Sequence, residues 1–236
     1  MVSFGVFAPI GYSMIIFYKS YKRHDRTLLS LKSVKHLFPD LELKCLVLTD
    51  NLIPSQDDLV FLEDLKKLKV DFYTSVKKYN FGNSGSGSAK NGLYFSEGVN
   101  KIYKKCIDLQ VTGKVLMLDE DHFFTTGETV KHLLTNNFDL AVGSWPAPPG
   151  GQRPSFEPNA SILALTIESM VDVFPVPERE QYVELLWGFE IVDKCKKLGK
   201  KIIEIPTRVY TNYGGDGIHT NNINDIKKEL SKFNII

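Results

Sequence analysis

Short apolar runs recur along the chain, each closed by a polar turn and followed by apolar residues three or four positions apart. Val2 to Ala8 is such a run, ended by Pro9 and Gly11, and reads as a first buried strand. From about Arg26 to Phe38 the apolar positions Leu28, Leu31, Val34 and Phe38 fall at helical spacing. Leu43 to Leu48 predicts a second strand, Ser55 with Asp57 and Asp58 opens a helix to about Leu68, and Val70 to Val76 predicts a third strand. A Gly/Ser-rich loop over Asn80 to Gly92 then leads into an amphipathic helix from Leu93 to about Leu109. Val115 to Leu118 is another apolar run. After it come a short helix over Glu128 to Leu134, a strand over Phe138 to Trp145, a Pro/Gly-rich loop over Pro146 to Pro158 and a strand over Ile162 to Thr166. A short helix ending at Phe174-Pro175, a helix or helix pair over Val183 to Leu198, a strand over Lys201 to Ile205 and a polar helix over Ile223 to Phe233 complete the pattern.

Strands that alternate with helices predict an α/β fold with a mostly parallel central sheet flanked by helices, whose ligands bind at the carboxyl ends of the strands. At 236 residues, with no internal repeat or linker, one large domain is expected. Apolar residues at 43% supply a sizeable core, and a net charge of +1 leaves no global field to recruit nucleic acid or an anionic membrane. Cys45, Cys106 and Cys195 are few, scattered and embedded in apolar patterns, as reduced core residues are. The apolar N-terminus is too short and interrupted for a transmembrane segment and lacks the basic flank of a signal peptide, so a cytoplasmic location is expected.

One strand end carries the strongest chemical signal. Val115-Leu116-Met117-Leu118 delivers Asp119-Glu120-Asp121 and then turns apolar again at His122-Phe123-Phe124. Carboxylates beside a core are unfavourable unless paired or bound to a metal, and a divalent cation is the expected partner. Asp119 and Asp121, two apart, can reach one ion directly or through water; oxygen ligands of this kind suit Mg²⁺ or Mn²⁺ rather than zinc. A solvated acidic turn is the alternative. Lys90, within the Gly/Ser-rich loop before a helix, can act as a point charge on phosphate while the loop supplies backbone amides.

In order, these features resemble a GT-A fold glycosyltransferase, most closely the family 2 group of nucleotide-sugar transferases. The strand end at Asp50 is similar to the family's acidic contact to base or ribose. Ala89-Lys90-Asn91-Gly92 is similar to its Ala-Arg-Asn-x-Gly segment, with Lys for Arg and the Gly one residue early. Leu118-Asp119-Glu120-Asp121 matches its Asp-x-Asp motif, and Trp187-Gly188-Phe189-Glu190 more weakly resembles its acidic catalytic motif. Beyond residue 145 the likeness is mostly architectural. The resemblance implies a Rossmann-like fold with a nucleotide-binding half over 1–125 and an acceptor-binding half over 126–236.

It further implies a metal-dependent transfer, with inversion, of a sugar from a nucleotide-diphosphate donor to a carbohydrate or other hydroxyl acceptor. Asp121 is then the direct metal ligand, Asp119 contacts a ribose hydroxyl or the metal through water, and Glu120 points away. His219, in a Gly-rich turn, is a further metal candidate. Ala8 and Pro9, at the end of the first apolar run, join Asp50, Lys90, Asn91 and Asp119 as expected contacts of the donor nucleotide. Glu190 is the candidate general base, with Asp193 one helical turn on as second choice. Trp145 and Trp187 are expected to stack on the acceptor, although core packing explains an aromatic residue as readily. Two other classes fit the layout. A sugar-nucleotide nucleotidyltransferase would show a basic Gly-rich loop after the first strand, where Ala8-Pro9-Ile10-Gly11-Tyr12 is read. A non-catalytic carbohydrate-binding protein would not need Asp119, Asp121, Lys90 and Glu190 together.

Overall fold

The computed structural model describes residues 14–79, 91–120, 122–144, 158–179, 184–205 and 222–236, with the backbone alone at 91, 92, 144, 158–161, 184–187 and 229. Seven strands form one sheet: β1 (Met14–Ser20), β2 (Glu42–Thr49), β3 (Asp71–Val76), β4 (Lys114–Leu118), β5 (Leu140–Ser144), β6 (Pro158–Thr166) and β7 (Ile202–Ile205). Among them run α1 (His24–Leu37), α2 (Gln56–Lys67), α3 (Asn91–Asp108), α4 (Glu128–Thr135), α5 (Ile167–Val173), α6 (Glu184–Lys197) and α7 (Ile223–Lys232). The strand order is β3-β2-β1-β4-β6-β5-β7, with β6 alone running against its neighbours.

The expected α/β fold with its mostly parallel sheet is therefore the one observed. The strand expected over Val2 to Ala8 lies outside the described residues, and the strand that feeds α1 is Met14–Ser20, where a loop was expected. It lies in the interior of the sheet, parallel to both β2 and β4, and all seven of its residues are buried. Such two-sided burial is why its sequence is a continuous apolar run rather than an alternation. β6 begins at Pro158, four positions ahead of the expected Ile162, because Gly143 and Ser144 of β5 pair with Asn159 and Pro158 across an irregularity in register.

The sheet is covered on both faces. On one, α3, α5 and α6 press Phe95, Val99, Ile102, Met170, Val173, Ile191 and Val192 onto Phe17, Met117 and Leu163. On the other, α1, α2 and α4 bring Leu31, Val34, Phe61, Leu65, Val130 and Leu133 against Ile16, Val47 and Leu116. α7 docks outside α1 through Ile226 and Leu230 against Leu29. The termini of α2 follow its sequence. Ser55 caps it by accepting from the Asp58 amide while the Asp58 carboxylate takes the Ser55 amide in return, a capping box worth about 1 kcal/mol. Cys45, Cys106 and Cys195 are free and buried, and burial raises the Cys106 thiol to about 12 and that of Cys195 to about 11. Neither is a thiolate at neutral pH.

Candidate functional site at the carboxyl edge

Four adjacent parallel strands deliver charge to one edge of the sheet. β3 ends into Lys77 and Lys78, β2 into Asp50, β1 into Tyr21, Lys22 and Arg23, and β4 into Asp119 and Glu120. Alternation within the strands decides where each side chain points. In β1, Met14, Ile16 and Tyr18 join the α1 side of the core, and Ser20 continues that row to meet α1. Ile15 and Phe17 join the α3 side, and Lys19 continues theirs. In β4, Val115 and Met117 face α3, so Asp119 emerges beside Lys19.

Lys19 and Asp119 form the deepest ion pair of this edge. Nζ lies 2.7 Å from Asp119 Oδ1, with Lys19 2% and the Asp119 side chain 16% exposed. The approach leaves every N–H of the ammonium without an acceptor in line. The faces of Tyr94 and Phe95, at 4.8 and 4.4 Å from Nζ, supply the rest of its surroundings. Gly98 makes room for the stem: a Cβ there would stand 2.6 Å from Lys19 Cδ. Asp119 Oδ2 has no partner among the described residues. Glu120 is buried, accepts from the Tyr94 hydroxyl at 2.8 Å and lies 3.7 Å from Arg23 Nη1.

Asp50 anchors a second network. Its Oδ1 accepts from the Tyr21 hydroxyl at 2.8 Å and pairs with Lys77, whose ammonium also donates to Tyr21 Oη at 2.7 Å. Lys22, turned back by a left-handed φ of 60°, reaches Oδ2 at 3.2 Å. The Lys77 ammonium, helped by Tyr21 and Lys22 against the effect of burial, lowers the Asp50 carboxyl from 3.8 to about 2. A depressed carboxyl stabilises the fold above its unfolded value, and that contribution is lost as the pH falls through about 2. With the side chain 42% exposed, solvent limits it to about 1 kcal/mol. Asp50→Asn is accordingly expected to lower the urea midpoint at pH 7, with the gap to the parent closing as the pH approaches 2.

Behind these networks the edge is braced from both helical layers. His24 places Nδ1 3.1 Å from Ser20 Oγ and Nε2 2.9 Å from Asp58 Oδ1, and stacks on Phe61 at 4.2 Å. On the other side Glu97 of α3, 2% exposed, accepts the amides of Lys78 at 2.6 Å and Tyr79 at 3.4 Å and pairs with Lys101. Glu178 binds the side chains of Lys78 and Tyr79. The chain is thus gripped immediately before the Gly/Ser-rich segment.

The expected site residues divide sharply. Asp50 and Asp119 reach the same edge. Glu190 is half exposed on α6 and paired with Arg179. With Asp193, Lys194, Lys197 and Val176 it lines a cavity of about 430 Å³, whose described lining shares no residue with the edge cluster. Ala8, Pro9, Lys90, Asp121, Trp145 and His219 lie outside the described residues, as do the side chains of Asn91 and Trp187. His122 is buried, its carbonyl accepting from Ser30. Among the described residues no three His, Cys, Asp or Glu side chains gather to hold a metal. The cation expected beside Asp119 and Glu120 is, among those residues, supplied by Lys19 and Arg23. Asp119 Oδ2 remains a hard oxygen donor of the kind Mg²⁺ or Mn²⁺ accepts, so this chemistry fits such an ion.

Lys19, Tyr21, Lys22, Arg23, Lys77, Tyr94 and Glu97 escaped the sequence reading. A signal for the first four was present. The apolar run Met14 to Tyr18 ends in Lys19-Ser20-Tyr21-Lys22-Arg23, a basic counterpart of the acidic end at 119–121.

No family model matches the sequence, and no curated protein matches it. Solved structures do match its fold. Glucosyl-3-phosphoglycerate synthase from Mycobacterium tuberculosis, in complex with phosphoglyceric acid, has a TM-score of 0.52 at 13% identity over 94% of this chain and 78% of that one. A mannosyltransferase from Pyrobaculum calidifontis, in complex with GDP-mannose and Mn²⁺, has 0.51 at 12% identity over 82% of this chain and 55% of that one. The inositol-1-phosphate CTP transferase from T. maritima has 0.50 at 10% identity over 94% and 97%. The chain thus has the GT-A fold of nucleotide-diphospho-sugar transferases, shared with a nucleotidyltransferase.

Proposed function

We propose that this chain is a glycosyltransferase that binds a nucleotide-diphosphate sugar at the carboxyl edge of β3, β2, β1 and β4 and passes the sugar to a hydroxyl acceptor. The observation that carries the reading is the edge itself. Asp50 and Asp119 are each fixed by lysines from a neighbouring strand, and Lys22, Lys77 and Arg23 add positive charge where a diphosphate would need it. Asp50 is assigned to base or ribose, and Lys90 and Asn91 to phosphate. Asp121, His219 and the open oxygen of Asp119 would hold Mn²⁺ or Mg²⁺. Such an ion, when bound, offsets the charge that builds on the departing diphosphate.

Glu190 remains the proposed base for an inverting transfer, with Asp193 in reserve, and the role requires Glu190 to leave Arg179. Trp145 and Trp187 are proposed to stack on the acceptor, in the half after residue 125. No helix of the described residues is long and apolar enough to cross a membrane, and the reduced, buried cysteines are in keeping with a cytoplasmic enzyme.

The test is thermal. Titrating UDP, GDP, CDP and ADP with Mn²⁺, Mg²⁺ or EDTA should give one nucleotide that raises the melting temperature, most strongly with metal. Glu190→Gln should keep that shift while losing sugar transfer. No shift with any nucleotide under any condition would sink the assignment.

A nucleotidyltransferase is the second reading, favoured by one observation. Lys22 and Arg23 lie two and three residues past Met14–Ser20, the first described strand, at the place where that class carries a basic loop. Release of pyrophosphate from a nucleoside triphosphate and a sugar phosphate would select it.

A further inference from the structure

We propose that Lys19 is a positioning residue that sets the balance between metal and diphosphate at Asp119. The inference rests on the transferase reading and goes beyond it. Lys19 is nearly inaccessible, and its burial is built in rather than incidental: Gly98 leaves the gap its stem fills, and Tyr94 and Phe95 wall in its head. A buried ammonium whose N–H bonds find no acceptor in line would be a liability in a purely structural role. Among the described residues its one close anionic partner is Asp119 Oδ1, at 2.7 Å, and Oδ2 of the same carboxylate has none.

Two consequences of opposite sign follow from that geometry. The ammonium holds Asp119 in one orientation and cancels its charge, so an approaching diphosphate meets a neutral pair instead of a bare carboxylate. The same positive charge makes the open oxygen a weaker ligand for a divalent cation. Lys19 thus supplies from within the sheet part of the countercharge that a metal would otherwise bring, and lowers metal affinity in doing so. At a separation of a few ångströms in a partly buried setting, one unit charge changes binding by at least about tenfold.

The experiment separates this role from a merely structural one. Mn²⁺ binding without nucleotide, and binding of the best nucleoside diphosphate in EDTA, are measured by calorimetry for the parent, Lys19→Met, Lys19→Gln and Gly98→Ala. The lysine variants are expected to bind Mn²⁺ about tenfold more tightly and metal-free nucleotide about tenfold more weakly. Gly98→Ala, which keeps the charge but drives a Cβ into the Lys19 stem, is expected to shift both in the same directions by less. Loss of structure cannot tighten one ligand while weakening the other. Parallel weakening of both ligands, or no change in either, in whichever variants remain folded would overturn the role of Lys19 and leave the transferase reading standing. A parent chain that binds no nucleoside diphosphate under any condition would remove both.

Discussion

Asp119→Ala is expected to destabilise the protein by about 2–4 kcal/mol at pH 7, the largest effect of any single change at the carboxyl edge. Removing the carboxylate leaves the Lys19 ammonium, 2% exposed, with aromatic faces and no counterion among the described residues. The stem is held by β1 and by the close approach of Gly98, so the ammonium cannot swing out to solvent. The reverse change strands the lesser charge. In Lys19→Met the orphan is Asp119, whose 16% exposure and open Oδ2 allow it to be partly solvated. The asymmetry gives the test its sharpness: Asp119→Ala should cost more than Lys19→Met, and the two combined should cost less than Asp119→Ala alone, because the pair leaves together. Urea unfolding of the four proteins measures this. A single change at Asp119 that cost under about 1 kcal/mol would mean that Lys19 does not depend on it.

Glu97→Ala should have the second largest effect, about 2–3 kcal/mol, together with loss of order in residues 77–79. The carboxylate is buried and is the acceptor for the Lys78 amide and, at longer range, the Tyr79 amide. It also neutralises Lys101, which itself donates to the Val76 carbonyl at 2.7 Å. Truncation leaves two amides without their acceptor and the Lys101 ammonium without this counterion at one point. The damage should spread to Asp50, since Lys77 belongs to the segment that Glu97 holds. Glu97→Gln, which retains one acceptor oxygen, is expected to lose about half as much. Hydrogen exchange provides the local readout: faster exchange at residues 77–79 with β4 unaffected is the expected pattern. Uniform acceleration across the sheet would show instead that Glu97 acts on global stability alone.

Much of this fold could be read from the chain because its strands are short apolar runs buried on both faces and its helices keep a period near 3.6. β2, β3, β4, β7, α2 and α3 lie within a few residues of expectation. Met14–Ser20, the strand that feeds α1, was not legible. Val2 to Ala8 and Met14 to Tyr18 are both apolar runs, and Pro9 with Gly11 gave the earlier one the clearer ending. That choice hid Lys19, Tyr21, Lys22 and Arg23, since a basic cluster carries meaning only once it is known to close a strand. The acidic end at 119–121 was legible by itself, and among the described residues the cations beside it are Lys19 and Arg23. A single sequence could not show that Lys19, a hundred residues away, would be brought beside it, because sheet order is set by tertiary packing. Glu97 was hidden for a similar reason. Its spacing marks only a helical carboxylate, and its partners are backbone amides that leave no trace in residue identity.

The one reversed strand has a consequence for how such a chain can change. Ser144 and Pro158 are paired across β5 and β6, so the two ends of the segment 145–157 are held at a single rung. Whatever lies between those two posts can lengthen, shorten or be exchanged without altering the register of any strand, and each doubling of its length costs only about 0.6 kcal/mol in closure entropy. The rung belongs to the same end of the sheet as Asp119, because β6 runs against β4. The architecture therefore offers a socket beside a fixed charged floor, into which chain segments of different length and chemistry can be fitted while the floor is inherited unchanged.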